Sequence, residues 1–172
     1  MRRPLALSVL AAAALAFCVT HPSRADTVAP IRTFQAHGED DVRAVALSAD
    51  GVHFVTGSED GTAKLWELAS GREVRVFRAA AGVLSVALTS DGQYIVTGGF
   101  GGSLQLWELS SGREVRAFGG GGRGIVSVAL SSDRQLLVTG SFDGTAKLWE
   151  RSSGRAIRTY QGHAGKVNSV AL

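Results

Sequence analysis

The chain is poor in the residues that staple or break a fold. Among 172 residues there are one cysteine, one methionine and three prolines. A single thiol cannot form an internal disulfide, so no covalent framework holds this fold. It also excludes a Cys-rich zinc site. Histidine is scarce at four, and no His-Glu-x-x-His, Gly-x-Ser-x-Gly or Cys-pair motif occurs. Outside the first 25 residues no segment carries a helical period.

The one long apolar run is Leu5–Val19. It follows the basic pair Arg2-Arg3 and precedes Ser23-Arg24-Ala25, which places small residues where signal peptidase reads. This is the three-part pattern of a secretory signal, with cleavage expected after Ala25. The run is short for a membrane span, which needs about 20 apolar residues. Leu15-Ala16-Phe17-Cys18 approaches a lipidation box, but bulky Phe17 stands where a small residue belongs. Removing residues 1–25 takes Cys18 and three arginines and leaves fifteen basic against fifteen acidic residues. The mature chain has no thiol to oxidise, which suits an oxidising compartment. Its charge is balanced, so neither a nucleic-acid partner nor a membrane is expected for it.

What is present is glycine, 22 residues of it, clustered between apolar runs of four to seven residues. That is all-β punctuation. The string Val55–Glu67 (VTGSEDGTAKLWE) returns as Val96–Glu108 and Val138–Glu150, with Trp66, Trp107 and Trp149 spaced 41 and 42 residues apart. Asp60-Gly61, Gly101-Gly102 and Asp143-Gly144 are hairpin turns within these copies. Val-Ala-Leu recurs at 45–47, 86–88, 128–130 and 170–172. Four short strands per period is the blade of a β-propeller. Three blades are expected, Val42–Phe77, Val83–Phe118 and Ile125–Tyr160. A leading outer strand, Ile31–Phe34, and a trailing inner strand, Val167–Leu172, flank them. The inner strands are apolar on both sides, as a blade sandwiched between blades requires.

With the x-D-G-T-x-K-L-W-E string, the Val-Thr-Gly strand before it, and Ala36-His37 or Gly162-His163 at a repeat start, the chain resembles the WD-repeat β-propellers. The resemblance covers residues 31–172, after a signal (1–25) and a linker (26–30). Repeats fall at about 31–73, 74–114 and 115–156, with a partial repeat at 157–172. Glu67, Glu108 and Glu150 replace the Asp of the Trp-Asp pair. The resemblance implies a side-chain relay from Trp through a strand Thr and a loop His to a turn Asp. The first repeat holds the full set, Trp66, Thr56, His37 and Asp60. The second keeps Trp107 and Thr97, with Gly101 for the Asp and no loop His. The third keeps Trp149, Thr139 and Asp143, again without His. His163 opens a fourth relay. These are expected to be structural hydrogen bonds rather than catalytic groups. The residue before the turn Asp is Glu59, Phe100 or Phe142. In WD-repeat proteins this turn opens on the face most used for partners. These three, with Asp41 and Lys166 at the starts of inner strands, form the candidate partner-binding set, with packing against the next blade as the competing reading.

Weaker features have bland readings. Phe118–Gly124 is glycine-rich but lacks a P-loop Lys and a following helix. Glu39-Asp40-Asp41 lacks calcium-loop spacing. No cofactor and no metal are expected. Propellers close with about four to eight blades, so three call for explanation. A fragment of a longer frame is the favoured one. Self-association of two arcs and a strained small ring are the others. The expected function is a non-catalytic scaffold that binds other proteins. The alternatives are an enzymatic or ligand-binding propeller whose site lies on absent blades, and a fragment without independent function.

Overall fold

A computed structural model describes residues 7–8, 32–119 and 122–172. The predicted cleavage site after Ala25, the linker and most of the apolar run lie outside the described residues. Leu7–Ser8 (β1) pairs antiparallel with Thr33–Phe34 (β2). Three four-stranded antiparallel meanders follow. The first holds β3 (Val42–Leu47), β4 (His53–Ser58), β5 (Thr62–Glu67) and β6 (Glu73–Arg78). The second holds β7 (Val83–Leu88), β8 (Tyr94–Gly99), β9 (Leu104–Glu108) and β10 (Glu114–Ala117). The third holds β11 (Ile125–Leu130), β12 (Leu136–Ser141), β13 (Ala146–Glu150) and β14 (Ala156–Tyr160). The period seen in the sequence therefore sets both the number and the bounds of the blades.

The core lies between the blades. One cluster joins Val55, Leu65 and Phe77 of the first blade to Ile95 and Trp107 of the second. A second joins Val96, Leu106 and Phe118 to Ile125, Leu137 and Trp149. A side chain such as Phe77 contributes about 1.5–3 kcal/mol when fully buried. At each junction the last aromatic of one repeat meets the tryptophan of the next. Phe34–Trp66, Phe77–Trp107 and Phe118–Trp149 lie at centroid distances of 6.3, 6.0 and 6.1 Å, edge to face.

The glycine of Val-Thr-Gly is explained by close approach. A Cβ on Gly57 would stand 2.6 Å from Val83 Cγ1, and one on Gly98 would stand 2.5 Å from Ile125 Cγ2. Only glycine lets the next blade's inner strand come this near.

Arginines lock the same junctions from the far end of the strands. Arg75 donates through Nη1 and Nη2 to the carbonyls of Ser111 and Ser110, at 2.8 and 2.7 Å. Arg116 repeats this on Ser153 and Ser152, at 3.0 and 2.7 Å. Arg158 holds the same place on β14, every residue of which is exposed.

One expected strand is absent. Val167–Leu172 is not a β-strand. It lies against the third blade, with Val167 N–H on Ser141 O at 3.0 Å and Val170 N–H on Ser127 Oγ at 3.1 Å. A ladder needs a second strand alongside, and among the described residues none is there to pair with it. The expectation that inner strands are covered on both faces also fails in the first blade. On β3, Val45 is 44% and Leu47 46% exposed, because among the described residues no blade stands before them.

Candidate functional site

The first-blade relay forms as expected. Trp66 Nε1–H donates to Thr56 Oγ1 at 2.9 Å. Thr56 Oγ1 meets His37 Nε2 at 2.7 Å, and His37 Nδ1 meets Asp60 Oδ2 at 2.8 Å. An ionised Asp60 only accepts, so Nδ1 carries the proton. His37 Nε2 then accepts from the Thr56 hydroxyl, and the chain runs in one direction from indole to carboxylate. Thr62, outside the expected set, completes the turn. Its backbone N–H and its Oγ1 both lie 2.7 Å from Asp60 Oδ1. Partial burial works against the Asp60 charge, but hydrogen bonds from Thr62 and His37 outweigh it and hold its carboxyl below the usual range. Thr56 and His37 are buried. Buried between an indole and an imidazole, the Thr56 hydroxyl links the 35–41 loop to the blade.

The other blades solve the same problem with other groups. In the second, Trp107 reaches Thr97 at 3.0 Å. Gln105, buried and also outside the expected set, holds the incoming loop. Its Oε1 accepts from Ala80 N–H at 3.0 Å, and its Nε2 donates to Glu114 Oε2 at 2.6 Å. The signal for it is the departure of Leu-Gln-Leu-Trp from Ala-Lys-Leu-Trp. In the third blade, Trp149 reaches Thr139 at 2.9 Å. Asp143 Oδ1 accepts from Thr145 N–H and Oγ1 at 2.9 and 2.7 Å. Gly122, at φ +109°, comes so close that a Cβ would stand 2.3 Å from Asp143 Oδ2. Loop backbone thus sits against the carboxylate that His37 contacts in the first blade. His163 is exposed and joins no relay among the described residues.

The candidate partner set gathers on one rim, at the ends of the strands where the Asp-Gly turns lie. In the first blade Arg43, unforeseen, ties Asp41 to Glu59, with nitrogen–oxygen distances of 3.1 and 2.7 Å. In the next two blades the rim turns aromatic. Phe100 and Phe142 stack at 6.5 Å with an interplanar angle of 27°. Lys166 Nζ lies 5.8 Å over the Phe142 ring. The packing reading holds for one side of each ring. A Cβ on Gly82 would meet Phe100 Cδ2 at 3.0 Å, and one on Gly124 would meet Phe142 Cδ2 at 2.6 Å. Phe100 is 39% exposed and Phe142 half-buried. Along the rim the five residues run from ion cluster through aromatics to cation.

Among the described residues no group of three or more His, Cys, Asp or Glu side chains is placed to hold a metal ion. No described helix is long and apolar enough to cross a membrane.

The family model for the WD domain, G-beta repeat, matches residues 28–67, 71–108 and 112–150. The chain belongs to the WD-repeat family. The first of its WD repeats frames the complete relay, and the second and third frame the two that have drifted. The guanine nucleotide-binding protein subunit beta of Zea mays is 43% identical over 47 residues, 27% of this chain and 12% of that protein. The ribosome biogenesis protein ERB1 of Debaryomyces hansenii is 40% identical over 53 residues, 31% of this chain and 6% of that protein. The solved structure of U3-55K superposes with a TM-score of 0.76 at 22% identity, over 81% of this chain and 45% of that one. The crystal structure of RRP9 WD40 repeats gives the same score and identity, with 44% of its chain covered. These likenesses show the fold. This WD-repeat chain spans under half the length of those solved structures and about an eighth or less of the curated relatives.

Proposed function

We propose that this WD-repeat chain is a non-catalytic scaffold, exported from the cytoplasm, that binds other proteins through the rim carrying Phe100, Phe142 and Lys166. One observation carries the reading. Two aromatic rings stack at the rim, Phe100 being 39% exposed and Phe142 lying under a lysine ammonium. Exposed aromatics on a rigid base supply contact area at small entropic cost and are the usual anchors of interfaces. The rings need no large rearrangement to bind, because Gly82 and Gly124 already hold their inner sides. Asp41 and Glu59, tied by Arg43, add an ionic patch that fixes the orientation of a partner more than it strengthens its grip. Relatives named as a G-protein beta subunit and a ribosome biogenesis protein fit a scaffold role.

The test is the double variant Phe100→Ala and Phe142→Ala. Crosslinking in the native host, read by mass spectrometry, is expected to lose discrete partners while the melting temperature falls by only a few degrees. Loss of the fold instead would make the rings core, and retention of every partner would move the interface elsewhere. Export rests on the Arg2–Ala25 pattern. Recovery of a chain beginning at Asp26 outside the cytoplasm supports it, and an intact cytoplasmic chain refutes it.

A second reading concerns assembly. Val45 and Leu47 are exposed at one end of the arc, and Ile157 and Tyr160, each 47% exposed, at the other. Both ends suit apposition of a further blade, such as one from a second copy of this chain. A discrete folded dimer in light scattering supports the second copy, and a folded monomer at high concentration removes it.

A further inference from the structure

The arc has a cleft that its own symmetry says should be filled. At the ends of the strands opposite the Phe100 rim, Arg151 of the third blade crosses to the second. Its guanidinium carbon lies 5.2 Å from the centre of the Tyr94 ring, within cation–π range. One repeat earlier the same two positions are Leu109 and His53. Leu109 is too short to cross, and a cleft of about 460 Å³ remains between the first and second blades. Leu65, Val74 and Leu109 make its apolar wall, and His53, Tyr94 and Glu108 its polar one. Arg75 also borders it, with its Nε buried and lacking a hydrogen-bond partner. The volume lies in the range of side-chain and small-ligand sites.

The geometry points to a slot for an arginine side chain of a partner peptide, entering the first cleft as Arg151 occupies the second. The pattern of the walls matches that chemistry and few others. The proposed side chain lays its aliphatic stem along Leu65, Val74 and Leu109 and its planar cation over the His53 ring, the counterpart of Tyr94, in the cleft that Glu108 also lines. Lysine matches the stem and the charge but not the flat face, and its ammonium gives up hydration less readily. The peptide's own carbonyl supplies the acceptor that Arg75 Nε lacks. Recognition here is independent of the aromatic rim, since the two sites lie at opposite ends of the strands.

The test titrates N-acetyl-arginine methylamide into the full 15N-labelled chain and follows the amides of His53, Tyr94 and Leu109. Saturable shifts confined to those residues are expected. Binding should be at least about fivefold tighter than for the citrulline analogue, which keeps the shape and loses the charge. Leu109→Arg should fill the cleft, raise the melting temperature and abolish the shifts. Glu108→Gln keeps the shape of the wall and should weaken binding in a chain whose circular dichroism is unchanged, so the proposal stays testable if Leu109→Arg fails to fold. Shifts scattered over the surface, equal binding of citrulline, or binding that survives both variants overturns it.

Discussion

Replacing Thr56 by Val tests whether the first-blade relay does more than its drifted counterparts. Val keeps the shape and removes the hydroxyl. Thr56 Oγ1 has two partners, Trp66 Nε1 at 2.9 Å and His37 Nε2 at 2.7 Å. Among the described residues Thr97 and Thr139 each serve only their indole, at 3.0 and 2.9 Å. All three are buried, so every group left behind loses its partner without gaining water. Such a group costs about 1–3 kcal/mol, and a value of about 1.5, in the lower part of that range, is used for each. Thr56→Val then costs about 3 kcal/mol and Thr97→Val or Thr139→Val about half that. At roughly 4 °C per kcal/mol for a domain of this size, melting should fall by about 12 °C and 6 °C respectively. Differential scanning calorimetry on the three variants reads this directly. Equal drops would mean that His37 adds nothing through Thr56. A larger drop at Thr97 would refute the reasoning outright.

Other outcomes follow from the same contacts. Arg75→Lys should lose the forked grip on Ser110 and Ser111 and about 1–2 kcal/mol, because an ammonium cannot span both carbonyls as the planar fork does. Arg158→Lys should change melting little, and a loss equal to that of Arg75→Lys would show that β14 is covered in solution. Acid should destabilise the fold. Asp60, Asp91 and Asp143 lie below the usual carboxylate range, where hydrogen bonds from Thr62, Thr89 and Thr145 outweigh burial. Asp50 and Asp133 lie below it chiefly through Ser48 and Ser131. A depressed carboxyl stabilises above its unfolded value of about 3.9 and loses that contribution as pH falls through its folded value. Urea midpoints should be level from pH 7 to 5 and fall below about pH 4, and an unchanged midpoint at pH 3 contradicts the assignment.

The blades were legible because their signals are local. A short apolar strand, a glycine-bearing turn and a recurring Trp each act within one period, and three copies repeat the message. The first-blade relay was legible for the same reason, since each group occupies a fixed place in its repeat. What escaped notice depends on the neighbouring repeat. Gln105 matters because the second loop lacks a histidine, and its role appears only when Ala80 N–H is found on its Oε1. Arg75 and Arg116 stood in plain view in Glu-Val-Arg, yet their partners lie 35 to 37 residues on. The failed strand at Val167–Leu172 has the same origin. Its residues repeat Val-Ala-Leu, but strand formation is decided by a pairing partner rather than by composition.

The two features that set the second and third blades apart belong together. Both lack the loop histidine, and both carry phenylalanine before the turn where the first blade has Glu59. With histidine present, the loop is held from within, through Thr56 and Asp60, and the turn is free to carry an ion pair. Without it, the second blade holds its loop partly from above. Phe100 lies over Gly82 and bridges to Gly124 of the next blade, while its N–H on Gly82 O at 3.1 Å repeats the Glu59 N–H on Asp41 O at 3.3 Å that the first blade also makes. Phe142 repeats the arrangement on Gly124, with its N–H on Gly124 O at 2.9 Å. A ring that fastens a loop on one face leaves its other face at the surface. The aromatic rim is therefore the packing counterpart of the missing relay. One buried and one partly buried hydrogen bond are exchanged for aromatic packing. If that exchange is real, restoring histidine at Ala80 together with Asp at Gly101 should make Phe100 dispensable for stability. Phe100→Ala would then cost less in the restored background than in the native chain, and equal costs in the two backgrounds would separate the rim from the relay.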